Sequence, residues 1–124
     1  MRLIGGKTEQ YFRDILIKSH TTLFKTSQYS KLMQILRECF HDMETAYFID
    51  HIPEQGEDIY TLLVNLNTIA KIEISHYSDD EIPSVEISHV NDFRVGLSRT
   101  MQVKLEVAID LAKKDIKNVS GGRY

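Results

Sequence analysis

The chain has 124 residues, of which 42% are hydrophobic and 27% are charged, and its formal net charge is −3. This composition is that of a soluble protein with one domain, residues 1–124, and it excludes a low-complexity chain. No apolar run approaches the roughly 20 residues that cross a bilayer, and the first residues lack the apolar core of a signal peptide. The single cysteine, Cys39, cannot form an internal disulfide, so we expect a reducing compartment, the cytoplasm.

The charges are unevenly distributed along the sequence. Between Glu38 and Phe93 one base, Lys71, stands against thirteen acids, a balance of −12. The two flanks carry fourteen bases and five acids, a balance of +9. The mild net charge therefore conceals a strong asymmetry, which bears on the choice of partner rather than on chemistry.

Two helices are predicted in the first third of the chain, over residues 7–24 and 28–43. Thr8 is a candidate cap for the first helix, and Ser27 or Ser30 for the second. Both segments have apolar residues at helical spacing. The first stripe consists of Tyr11, Phe12, Ile15, Leu16 and Leu23, and the second of Leu32, Met33, Leu36, Cys39, Phe40 and Met43.

Between residues 45 and 90 the hydrophobic pattern alternates, which predicts four short strands. Their inward residues are Tyr47, Ile49 and His51, then Tyr60, Leu62 and Val64, then Ala70, Ile72 and Ile74, then Val85 and Ile87. Short connections favour an antiparallel meander. We expect Ile49 to pair with Leu62, and Leu62 with Ile72. We expect Ile72 to pair with His89, since this keeps one face apolar. The opposite face of the last two strands should then be exposed to solvent, with Lys71, Glu73, Ser75, Ser84, Glu86 and Ser88.

The last helix begins after Ser98, a plausible cap, and ends near Gly121, a plausible C-cap. Its apolar face comprises Met101, Leu105, Ala108, Ile109, Ala112, Ile116 and Val119. Residues 120–124 should form a frayed tail. The predicted fold class is α+β, with the order α-α-β-β-β-β-α and the C-terminal helix packed on one sheet face. We expect Leu105 and Ile109 to share one core with Leu62 and Ile72.

The first candidate site is an acidic end of the sheet. In a meander the first and third turns lie at the same end, which would bring together Glu54, Glu57, Asp58, Asp79, Asp80 and Glu81. Neither loop contains a lysine or arginine. An ordinary solvated loop fits this pattern, and so does a docking surface for a basic protein. The spacing lacks the alternating ligands of a calcium loop.

An apolar patch is the second candidate. Phe48, Ile52, Ile59 and Leu63 have the parity of the face that is not core, so either a helix of the chain or a partner should cover them. A partner could be a basic protein that contacts Phe48 and Leu63, or a second copy that forms a homodimer through all four.

Histidines and basic residues supply the other hypotheses. His51, His76 and His89 share one parity but lie too far apart for zinc, so we expect neither metal nor cofactor, and we place His51 opposite Tyr60. No nucleophile, phosphate-loop or metalloprotease motif is present. We therefore expect a non-catalytic interaction domain of the inhibitor or toxin-immunity type, with no membrane partner. The alternatives are a nucleic-acid-binding protein that uses the basic helices and a small enzyme with a site near His51 and the acidic loops.

Overall fold

A computed structural model describes residues 3, 5–77 and 82–121, with side chains through residue 116. Four helices and four strands follow in the order α1 (Lys7–Lys25), α2 (Ser30–Cys39), β1 (Ala46–Glu54), β2 (Glu57–Val64), β3 (Thr68–Ser75), β4 (Ser84–His89), α3 (Val90–Arg94) and α4 (Arg99–Gly121). The strands form one antiparallel sheet in the order β1-β2-β3-β4. The predicted α+β meander with a C-terminal helix on the sheet is confirmed.

The helix boundaries differ from the predictions at several ends. Gly6, not Thr8, is the N-cap of α1, and the Glu9 carboxylate accepts a hydrogen bond from the Gly5 N–H at 2.7 Å. The second helix starts at Ser30 and stops at Cys39, which is exposed rather than part of the apolar stripe. Ser98 caps α4 as predicted, accepting from the Met101 N–H at 3.2 Å. The backbone of α4 is helical through Gly121, and residues 122–124 of the expected tail lie outside the described residues.

Two hydrophobic clusters lie on opposite faces of the sheet. On the face that we call the α4 face, α1 and α4 cover Tyr47, Ile49, Leu63 and Ile69. On the other, the α2 face, α2 covers Phe48, Tyr60, Leu62, Ala70 and Ile72. The prediction of one shared core is wrong, because Leu105 and Ile109 belong to the first cluster whereas Leu62 and Ile72 belong to the second.

A bulge in β1 changes the face on which its later residues lie. Phe48 pairs with Leu62 and Asp50 pairs with Thr61, so Ile49 is an extra residue. An extra residue inverts the side-chain alternation beyond it. Tyr47 and Ile49 therefore face α4. His51 is also odd-numbered, but it follows the bulge and lies on the α2 face, opposite Tyr60.

The predicted register is shifted in the other two pairs. Leu62 pairs with Ala70 rather than with Ile72. Ile72 pairs with Val85 rather than with His89. Both shifts are by an even number of residues, so the face of each side chain is unchanged. The predicted solvent-exposed side of β3 and β4 accordingly shows Lys71, Ser84, Glu86 and Ser88 exposed. Glu73 and Ser75 on the same side are half-buried.

Candidate functional site

The β1–β2 turn and the described ends of β3 and β4 lie at one end of the sheet. Glu54 pairs with Glu57 across the turn, and Glu57 pairs in turn with Ser75. Gly56, at φ +93°, makes the tight turn, and its carbonyl accepts from the His76 N–H at 2.7 Å. We call Glu54, Glu57 and Asp58 the acidic end. Asp79, Asp80 and Glu81 lie outside the described residues, so their predicted clustering with it stays a prediction.

Asp58 holds two imidazoles at this end. The Nε2 atom of His51 lies 2.9 Å from Oδ1 of Asp58, and that of His76 lies 2.5 Å from Oδ2. The hydrogen bond from His76, and then that from His51, lower the pKa of Asp58. The three residues come from β1, β2 and the segment after β3, so this cluster ties three neighbouring chain segments together.

Tyr60 completes the cluster. His51 pairs with Tyr60 across the two strands, as predicted, and the rings stack with centroids 4.4 Å apart. Burial, followed by the nearby charge of Asp58, raises the pKa of Tyr60 to about 12. The two imidazoles contact different oxygens of the carboxylate, and no three His, Cys, Asp or Glu side chains between residues 5 and 116 that the structure describes are arranged to hold a metal ion.

Large apolar side chains are exposed beside the acidic end. Ile52 is 46% exposed, Tyr77 is 78% exposed and Ile82 is 92% exposed. The Tyr77 ring lies against Gly56, where a β-carbon would collide with it. Tyr77 and Ile82 flank the segment between β3 and β4, and Ile52 points out from β1 near the turn. Carboxylates and apolar groups therefore share one exposed surface.

The predicted apolar patch is not one surface. Phe48 lies on the α2 face and Leu63 on the α4 face, and the helices of the chain bury both. Leu63 is fully buried and Phe48 is 9% exposed, at the wall of a cavity, so neither is the exposed partner contact that was expected. A homodimer through all four residues is therefore not supported. Ile52 remains exposed, and Ile59 is half-buried.

A second polar cluster lies where α1, β1 and α4 meet. The Asp115 carboxylate accepts from the hydroxyls of Thr45 at 2.8 Å and Tyr47 at 2.5 Å. His20 stacks on Tyr47, and its Nε2 lies 3.0 Å from the Thr45 hydroxyl. Burial lowers the pKa of His20, although Asp115 opposes this. No sequence pattern predicts this cluster, because its members come from three separate parts of the chain.

Several bases of the helices are engaged in ion pairs. Arg13 contacts Asp110 at 2.9 Å, and Lys114 contacts the same carboxylate at 3.3 Å. Arg94 pairs with Glu106. These contacts neutralise part of the positive charge that the nucleic-acid hypothesis requires.

Cys39 is exposed at the end of α2. The nearby His41 ring contacts the backbone carbonyl of Glu38.

The chain was compared with protein-family models, curated proteins and solved structures, and none of the three comparisons gives a match. Across the described part of the chain, every helix is too short or too polar to cross a membrane.

Proposed function

We propose that this chain is a non-catalytic interaction domain that docks a basic protein through the acidic end of its sheet, in the manner of a cytoplasmic inhibitor or toxin-immunity protein. The observation that carries the proposal is the exposure of Ile52, Tyr77 and Ile82 beside the acidic end. Exposed aromatic and aliphatic side chains supply most of the binding energy at interfaces, and surrounding charge sets partner choice and association rate.

The charge of this surface also supports a basic partner. Glu54 and Glu57 are direct cross-strand neighbours, an arrangement that costs stability. In the sequence from residue 39 to 93 the only base is Lys71, which lies mid-strand in β3. Asp79, Asp80 and Glu81 precede β4 in the sequence and would add to the negative charge of the partner-binding surface. A bound partner of opposite charge would relieve this repulsion, which supports a basic partner.

A small enzyme is the second candidate, and one observation favours it. A cavity of about 150 Å³ between α1, β1 and α4 is lined by Ser19, Tyr29, Asp50, His51 and Lys104. Burial lowers the pKa of Lys104, and Asp50 opposes this. The Asp58 carboxylate fixes His51 beside this cavity, as a general base requires. The enzyme hypothesis predicts that His51→Ala abolishes turnover without weakening a protein complex.

Association kinetics test the docking proposal. A protein that co-purifies with the chain from its native cells would be purified separately, and its association rate measured against the wild type and two double variants. Glu54→Lys with Glu57→Lys should slow association about tenfold or more and flatten its salt dependence. Lys18→Glu with Lys113→Glu, an equal and opposite change at exposed positions of α1 and α4, should have little effect.

The alternatives give different results in the same series. If the chain binds nucleic acid, the helix variant loses binding to a short DNA duplex and the sheet-end variant does not. If the association rate of the protein partner is equal for both double variants, the acidic end is not the docking surface.

A further inference from the structure

The fourth strand is an open edge of the sheet. It is last in the order β1-β2-β3-β4 and pairs with β3 alone among the described residues. At the opposite edge, β1 is buried from Ala46 to Ile49 and exposed from Asp50 to Glu54. Five of the six residues of β4 are exposed. An edge strand leaves the N–H and C=O groups of alternate residues unpaired, and these can bond an incoming strand.

Both flanks of β4 can receive the side chains of an added strand. On the α4 face, a surface depression of about 490 Å³ is lined by Thr61, Lys71, Glu86, Ser88 and Phe93, among others. On the α2 face, Val85 and Ile74 are half-buried and Ile87 is 59% exposed. Alternate side chains of an added strand would enter these two surfaces, which is how proteins that recognise peptides by strand addition read sequence.

The charge around this edge identifies its occupant. Glu86 is the only charged residue of β4 and pairs with Lys71, Glu73 pairs with the first residue of β4, and three acids precede the strand in the sequence, so acids outnumber bases here. A second copy that paired Glu86 with Glu86 would set like charges directly opposite each other, which destabilises strand pairing. A segment that carries lysine or arginine complements the edge instead.

We propose that an extended basic segment adds to β4 as a fifth strand of the sheet. This inference rests on the proposed function and specifies which part of the partner binds. Ser84, where β4 starts, is at the sheet end that carries the acidic end, so a docked partner can reach the edge. The six residues of β4 extend about 20 Å, enough for a segment of similar length.

A synthetic peptide tests the inference on the full chain. The probe is a capped peptide of about ten residues that alternates lysine and valine, the length of a long strand. We expect it to slow hydrogen exchange of the solvent-facing amides of β4 by roughly tenfold or more, because these amides gain bonds to the peptide. In a control peptide, proline replaces every second valine. This peptide keeps the charge but lacks the N–H donors at the substituted positions, and it should not protect the β4 amides.

Two matched variants separate strand addition from general attraction. Ile87→Lys, at an exposed position of β4, should weaken peptide binding roughly tenfold. Ile17→Lys makes the same substitution at an α1 residue that is 46% exposed, and should bind as the wild type does. Equal binding by both variants, or equal binding of both peptides, overturns the proposed strand.

The remaining outcomes distinguish this inference from the proposed function. If the peptide perturbs residues 54–57 and leaves the β4 amides unprotected, strand addition is wrong and docking at the acidic end survives. If the chain dimerises through β4 without peptide, the occupant is a second copy and the inference fails. If β4 is protected while Glu54→Lys with Glu57→Lys leaves association with the native partner unchanged, the edge binds a segment and the acidic-end proposal fails.

Discussion

At the residue scale, one side chain holds the β2–β3 turn to the start of β1. Asn65 has a φ of 55°, the left-handed region that asparagine tolerates better than most residues. Its Oδ1 accepts from the N–H groups of Glu44 and Thr45, and its Nδ2 donates to the carbonyl of Asp42. The sequence alone could not reveal these bonds, which join segments about twenty residues apart.

Asn65→Ala should therefore lower the free energy of unfolding by about 2 kcal/mol, since it removes three hydrogen bonds and leaves a residue that resists positive φ. Chemical denaturation measures the change. Asn67→Ala, in the same turn, keeps the bond from the Val90 N–H to the Asn67 carbonyl and should cost less than about 0.5 kcal/mol. If the two substitutions lower the free energy of unfolding equally, the hydrogen bonds of the Asn65 side chain do not stabilise the fold.

Asp58 gives a prediction about pH. Its pKa is lowered in the folded protein, so its carboxylate stabilises the fold above the unfolded-state pKa of about 4, and this contribution is lost as the pH falls through the lowered folded value. Asp58→Asn should cost about 1 kcal/mol at pH 6. The difference from the wild type should shrink progressively below about pH 4.

Urea denaturation across this pH range measures the effect of Asp58→Asn. Glu54→Gln removes an exposed carboxylate from the same hairpin and should change stability by less than about 0.5 kcal/mol. A loss in Asp58→Asn that persists undiminished at low pH would mean that the ionised carboxylate does not stabilise the cluster.

At the scale of elements, hydrophobic spacing predicted the helices and strands but not which face each helix covers. The predicted apolar stripe of α4 is buried from Leu105 to Ala112, and Met101 and Ile116 at its described ends are half-buried. The bulge at Ile49 was unpredictable, because an extra residue leaves no mark on a short alternating pattern that is apolar on both sides. That one residue inverts the facing of β1 beyond Ile49. It also places His51 on the face of Asp58.

The two cores should contribute independently to stability. Leu105→Ala on the α4 face and Leu36→Ala on the α2 face should each cost about 2–5 kcal/mol, since both leucines are fully buried. Because the sheet separates them, the double variant should lose the sum of the two to within about 0.5 kcal/mol. Leu105→Ala with Leu63→Ala, within one cluster, should depart further from the sum. Strong coupling across the sheet would contradict the two-core description.

At the scale of the whole molecule, the charge asymmetry of the sequence separates in space by element type. Most bases lie on α1, α2 and α4, whereas the strands carry six acids of the central segment: Asp50, Glu54, Glu57, Asp58, Glu73 and Glu86. The sequence predicts this separation, because most bases fall in the segments predicted as helices and most acids fall in the central segment predicted to form the strands. The sequence does not predict the pairing of His51 and His76 with Asp58. Its pattern groups Asp58 with the acids of the first turn, whereas in the structure Asp58 belongs to β2 and contacts both histidines.

One substitution should make the molecule more stable and a poorer binder. Glu57→Lys replaces the repulsion between Glu54 and Glu57 with an attraction, and should raise the free energy of unfolding by about 0.5 kcal/mol. Glu86→Lys makes the same change of charge opposite Lys71 and should lower stability by a similar amount. If the acidic end docks a basic protein, Glu57→Lys also slows association, because opposite-charge steering is lost. Denaturation and stopped-flow association measure the two effects. A Glu57→Lys variant that is more stable and associates at the wild-type rate would leave the repulsion without a functional reason, and the docking proposal would fail.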